Sequence, residues 1–169
     1  MRFGFHLTRP TSAQMSDERL DGRGPLEDDF DYVYLAMRGC ADLAGTDASF
    51  LIGGFGREDW EFDISYDLSA LMESLPELIA AVQHQQQFDL DLYPQGVERT
   101  LTFRFPKGET AEVDCHSRTA WTPNPATEVC DRAELLGMCM DLASDFAVSL
   151  SDIGSDVAEL APFRAWSHG

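Results

Sequence analysis

The sequence predicts an α+β fold: an antiparallel sheet, built from a hairpin and a three-strand meander, packed on one face by two or three helices. Three observations carry this expectation. From Phe88 to Arg118 apolar residues alternate with polar ones at the period of a half-buried strand, and Pro-x-Gly breaks the run twice. "SFLIGGFG" followed by "EDWEFDISYDL" reads as two further strands. Two other stretches, around Leu71–Val82 and Leu135–Leu150, switch to the helical period.

Taken in order, "RFGFHLT" alternates Phe3, Phe5 and Leu7 and suits a short strand. Residues 9–28 are polar with several Gly and Pro, and read as a flexible loop or arm. "FDYVYLAMRGCADLAG" suits a helix with Phe30, Val33, Tyr34, Met37 and Ala41 on one side and Gly45 at its end, although its aromatic start would also suit a strand. "SFLIGGFG" reads as a buried strand, with a turn near Gly56–Arg57. The next strand of the hairpin places Trp60, Phe62, Ile64 and Tyr66 on one face and Asp59, Glu61, Asp63 and Ser65 on the other.

Leu71, Leu75, Leu78, Ile79 and Val82 form a helical stripe. Pro76 is accommodated if Ser74 is the N-cap and Glu77 completes a capping box, so the helix is expected to start near Leu75 after a separate turn at Ser69–Glu73. In the meander, Phe88, Leu90 and Leu92 alternate with Asp89, Asp91 and Tyr93. Leu101, Phe103 and Phe105 alternate with Thr100, Thr102 and Arg104, and Ala111, Val113 and Cys115 with Glu112, Asp114 and His116. Pro94–Gly96 and Pro106–Gly108 supply the turns, Pro presetting one turn position and Gly the left-handed one. "TAWTPNPATEV" reads as an extended connection. Asp131 caps the last long helix with Glu134 as its capping-box partner; Leu135, Cys139, Leu142, Phe146 and Leu150 line its buried face. Gly154 ends it, and 154–169 is a C-terminal tail pinned by Phe163 and Trp166.

At 169 residues one domain spanning 1–169 is expected, long enough to bury roughly 70% of its unfolded surface without staples. Twelve Lys plus Arg against thirty Asp plus Glu give a net charge of −18. That balance disfavours nucleic acid or anionic membrane as direct partners and suits a basic protein partner. No apolar run approaches the ~20 residues of a membrane span, the N-terminus lacks the pattern of a signal peptide, and the four cysteines form no C-x-x-C pair. A cytoplasmic protein with buried, reduced thiols is the expectation.

With the apolar set against the helices, Asp59, Glu61, Asp63, Asp89, Asp91, Glu112 and Asp114 fall on the opposite, solvent-facing side, offset chiefly by Arg104. Same-face neighbours lie ~6.8 Å apart along a strand and ~4.8 Å apart across strands, so directly opposed acids repel by up to about 1 kcal/mol per pair. The plain explanation is a solvated face in an acidic protein. The functional one is a docking surface for a basic partner, with Tyr93 and Trp121 as aromatic anchors at its centre.

No nucleophile elbow, H-E-x-x-H helix or P-loop is present; "GGFG" precedes a strand and reads as turn geometry. Cys115, His116 and Cys130 make a poor zinc site, because adjacent strand residues point to opposite faces. Asp89 and Asp91 as a divalent-cation pair lack a supporting loop. The expectation is therefore no enzyme, no cofactor and no metal.

The hairpin–helix–meander–helix layout over residues 49–152, with the acidic strands "WEFDISYDL", "FDLDLY" and "AEVDC", resembles in type the small acidic immunity proteins of bacterial polymorphic-toxin systems. The N-terminal 45 residues fall outside the resemblance. It implies a cytosolic, non-enzymatic inhibitor whose acidic sheet face blocks a basic toxin, frequently a nuclease. Two alternatives stay open: a DNA mimic that occupies a nucleic-acid-binding protein, and a small-ligand or enzyme domain with a pocket between sheet and helices.

Overall fold

The computed structural model of the chain describes residues 2–11, 31–92 and 98–167. Strand β1 (Gly4–Thr8) is followed by helix α1 (Tyr32–Leu43), β2 (Ser49–Gly53), α2 (Asp67–His84), β3 (Phe88–Leu92), β4 (Arg99–Arg104), β5 (Thr110–Ser117), β6 (Thr127–Asp131) and α3 (Arg132–Asp152). A 3-10 turn, Asp156–Glu159, and the short helix α4, Phe163–Trp166, close the chain. The strands form a two-stranded sheet, β1–β2, and a four-stranded sheet in the order β3–β4–β5–β6, all antiparallel. The fold is α+β, with α2 and α3 covering the inner face of the larger sheet.

The meander follows the alternation. Phe103 pairs with Phe88 and Val113, and Leu101 with Leu90 and Cys115. Leu90, Leu92, Leu101, Phe103, Ala111, Val113 and Cys115 are all buried on the inner face. Gly108 takes the left-handed position at φ 71°, as the second Pro-x-Gly turn requires. The first turn, Pro94–Gly96, lies outside the described residues, as does most of the arm expected over 9–28; of that segment Arg9 reaches Asp145 at 2.7 Å and Thr11 donates to Asp47.

The expected hairpin does not form. β2 pairs with β1, matching Phe5 to Ile52 and Leu7 to Phe50. After the isolated Gly54–Arg57 bridge the chain leaves the sheet. Residues 59–66 alternate in sequence but are built by side-chain-to-backbone turns: Asp59 accepts from the Glu61 N–H at 2.7 Å and Asp63 from the Tyr66 N–H at 3.0 Å. Aspartates that bond their own backbone favour turns over strands. Trp60 and Phe62 are buried while Tyr66 is 69% exposed, so the stretch has no single inner face.

The helix expected from Leu75 instead begins at Asp67, with Pro76 inside it. A proline there offers no N–H to the Met72 carbonyl. The Tyr32 hydroxyl, from the start of α1, donates to that carbonyl instead, and burial pushes the Tyr32 pKa up, keeping it a donor at neutral pH. Tyr32→Phe strands the carbonyl and is expected to lower stability by about 1–2 kcal/mol in denaturant unfolding, whereas the exposed Tyr66→Phe leaves it unchanged. Equal effects would remove this account of Pro76.

Helix α1 turns the opposite way from the expected stripe. Val33, Tyr34 and Met37 are exposed, while Leu35, Ala36, Gly39, Cys40 and Leu43 are buried. Apolar residues lie all round this helix, and the small ones decide: a Cβ on Gly39 would sit 2.9 Å from the Phe146 ring, so only a side chain-free position lets α1 approach α3.

Asp131 caps α3 as expected, accepting from Ala133 and Glu134 N–H groups, while the Glu134 carboxylate pairs with Arg2 at 3.1 Å rather than closing the box. Leu135, Cys139, Leu142, Phe146 and Leu150 are buried, and Gly154 is left-handed at φ 71°. Phe163 is buried and stacks on Tyr32 with 5.8 Å between centroids, and Trp166 packs edge-on to Phe163, so the tail is held to the body.

The stretch read as an extended connection ends in a strand, β6. Its polarity is reversed: Glu128 and Cys130 face inward and Val129 is 54% exposed. Glu128 ties the two sheets together. One carboxylate oxygen accepts from the Phe3 N–H ahead of β1 and the other from the Phe55 N–H after β2.

Candidate functional site

The outer face of the four-stranded sheet carries Asp89 and Asp91 on β3, Thr100, Thr102 and Arg104 on β4, Glu112, Asp114 and His116 on β5, and Thr127, Val129 and Asp131 on β6. Register sets their neighbours. Asp89, Thr102, Asp114 and Thr127 form one row across the sheet, and Asp91, Thr100 and His116 the next. A threonine therefore stands between each pair of acids, and the directly opposed repulsion expected from the sequence does not arise. Thr102 donates to Asp89 at 2.6 Å and Thr127 to Asp114 at 2.5 Å.

Two guanidinium groups complete this lattice. Arg104 binds Asp114 and lies 3.7 Å from Glu112. Arg118, from the connection after β5, reaches Asp91 at 2.8 Å and Thr100 at 2.9 Å. Five carboxylates, Asp131 included, thus share the face with two guanidiniums, and Asp91 remains 54% exposed. The arrangement presents hydrogen-bond acceptors at strand spacing on a negatively biased surface.

The predicted site residues divide. Asp89, Asp91, Glu112 and Asp114 share the outer face. Asp59, Glu61 and Asp63 lie on the link between β2 and α2, where they shape turns and pair locally, Arg57 reaching Glu61 at 3.4 Å; they are not part of the sheet face. Tyr93 lies outside the described residues. Trp121 is half-buried and turns toward Arg99 rather than into an acidic centre.

That last contact belongs to a cluster missed in the sequence. Arg99 begins β4 on the inner face and is only 3% exposed. Its guanidinium carbon lies 4.1 Å from the ring centroid of Trp60 and 4.1 Å from that of Trp121. The rings meet at 58°, forming a V around the cation. Burial lowers the Arg99 pKa to about 10, with the Cys115 thiol opposing and the Arg57 charge adding to that shift; the group is still a cation at neutral pH. The signal was available: the phase that turns Leu101 and Phe103 inward also turns Arg99 inward.

The thiols offer no nucleophile. Cys40, Cys115, Cys130 and Cys139 are free and buried, and burial pushes the pKa of each upward, Cys115 to about 11 and Cys139 to about 12. Cys115 and Cys130 face inward while His116 is exposed on the outer face, and among the described residues no group of three or more His, Cys, Asp or Glu could hold a metal ion. No helix among them is long and apolar enough to cross a membrane. Compared with protein-family models, with curated proteins and with solved structures, the chain matches none.

Proposed function

We propose that the chain is a non-enzymatic binding protein of immunity type that seats a basic surface of a partner protein on the outer face of its four-stranded sheet. The observation that carries this reading is the composition of that face: Asp89, Asp91, Glu112 and Asp114 stand on exposed or half-exposed positions, and among the described residues Arg104 and Arg118 are the cations that offset them. The net charge of −18 adds a long-range field of the same sign. Lys or Arg side chains of a partner would meet carboxylates already held in place by Thr102 and Thr127, so little side-chain freedom is lost on docking. Arg104 and Arg118 within the face favour a mixed protein surface as partner over imitation of a phosphate backbone.

Asp89→Lys with Asp91→Lys tests the surface. Both residues are exposed, and the Asp91–Arg118 pair is a surface ion pair of small worth, so stability should stay within about 0.5 kcal/mol. A partner captured by the wild-type chain from its native lysate is identified, purified and presented to both forms. The association rate of the double variant is expected to fall by about tenfold or more at low salt and to lose most of its salt dependence. Equal rates would rule out this face. The inhibitor reading is tested by co-expression: the captured partner should arrest growth alone and not beside the wild-type chain, and arrest in both cases rejects it.

A further inference from the structure

We infer that Arg99, in the V formed by Trp60 and Trp121, is the receptor for a small carboxylate monoanion, at a site separate from the sheet's outer face. Arg99 is 3% exposed, yet its Nε and Nη1 donate to no acceptor among the described residues. Among the described residues no carboxylate pairs with it; the charges that shift its pKa are those of Cys115 and of a second cation, Arg57. Glu128, the buried acid on the same inner face, is committed to the Phe3 and Phe55 N–H groups. A buried cation without a counter-charge is costly, and folded proteins either pair it or reserve it for a ligand.

The surroundings select the ligand. The two indole faces satisfy the cation's π-face but supply no acceptor for its in-plane N–H groups. A planar carboxylate matches the in-plane donors of a guanidinium with two parallel hydrogen bonds. A phosphate dianion usually calls on several cations or a nest of backbone N–H groups, and here the second cation, Arg57, is partly engaged by Glu61. The aromatic walls, Trp60 and Trp121 with Phe55 and Phe3 behind Trp60, suit an apolar body on the acid. Trp121 is the more exposed of the two rings and lies on the irregular link between β5 and β6, which makes it the wall on the solvent side.

The rings provide the readout. Sodium acetate is titrated into the full chain at constant ionic strength, with chloride and inorganic phosphate as parallel arms, while tryptophan emission and the Arg Nε–H proton–nitrogen correlation are followed. The expected result is a saturable change with acetate, a downfield shift of the Arg99 Nε–H signal, and no matching response to chloride or phosphate. Arg99→Lys keeps the charge but loses the fork, and should weaken acetate binding by about tenfold or more; it also assigns the Nε–H signal. No saturable response, equal responses to phosphate and acetate, or an unshifted Arg99 Nε–H overturns the assignment. So does an Nε–H already hydrogen-bonded to a backbone carbonyl in the ligand-free chain, which the wild-type protein reports without any variant.

Discussion

Glu128→Ala is expected to lower the stability of the chain by about 3–5 kcal/mol, the largest loss from any single polar residue. The carboxylate is 7% exposed and accepts from two buried backbone N–H groups, those of Phe3 and Phe55. Alanine removes both acceptors, and each stranded N–H costs about 1–3 kcal/mol. It also leaves a void where β6 meets the turn after β2. For a chain of this size the melting temperature should fall by on the order of 10 °C. Glu128→Gln separates the contributions. The amide keeps the shape and one acceptor but offers an NH2 group to the second N–H, so roughly half the loss should persist. A melting curve for Glu128→Ala within 2 °C of wild type, taken as about 1 kcal/mol or less, would mean that the two sheets hold together without it.

Gly53→Ala has an effect of similar size for a steric reason. A Cβ at Gly53 would lie 2.0 Å from the Glu58 carbonyl oxygen and 2.7 Å from its carbon. Both are backbone atoms, so no side chain can swing aside. The chain after β2 has to move away, and with it the Trp60 N–H bond to Ile52, 3.0 Å long, and the Gly54–Arg57 bridge. Overpacking in a tight core costs about 1–3 kcal/mol, and more where backbone bonds break with it. The expected loss is about 3 kcal/mol or more in urea unfolding, with a blue-edge change in tryptophan emission as Trp60 loses its seat. Gly137→Ala is the control, because nothing lies within 4 Å of the added methyl group and the position is helical; alanine there should stabilise by roughly 0.5–1 kcal/mol.

Period-two alternation was legible wherever the strand obeyed the apolar-in rule. β3, β4 and β5 keep the expected phase, with Leu90, Leu101, Phe103 and Val113 inward, since a slip of one would expose Leu101 and Phe103. β6 breaks the rule by turning Glu128 inward and Val129 outward, so apolar-in alternation does not mark it as a strand. Residues 59–66 alternated just as cleanly and formed no strand, because Asp59 and Asp63 found their own backbone before any partner strand did. Pro76 pointed to a helix start because a sequence does not display the Tyr32 hydroxyl that relieves the Met72 carbonyl. The acidic site was half legible. Asp89, Asp91, Glu112 and Asp114 follow from strand phase, and Arg118 continues the outward phase of β5 one residue past the strand, but its reach across to Asp91 is not visible in the sequence. The Trp60–Arg99–Trp121 cluster joins three separate segments, and only the inward phase of Arg99 announced it.

The pairing of β1 with β2 has a consequence for the order in which the chain folds. The larger sheet grows by neighbour-to-neighbour steps along the sequence from β3 to β6, each closing a short loop. Residue Phe5 meets Ile52, and the Phe3 N–H meets Glu128 across a separation of 125 residues. Closing such loops costs entropy before any contact rewards it. The tie between the ribbon and the larger sheet is therefore expected to close late, once β6 presents Glu128. Until then Phe3 is expected to lack its contact with Phe103 of the larger sheet. In a nascent chain β1 meets its strand partner β2 early and waits only for Glu128 to tie the pair to the larger sheet.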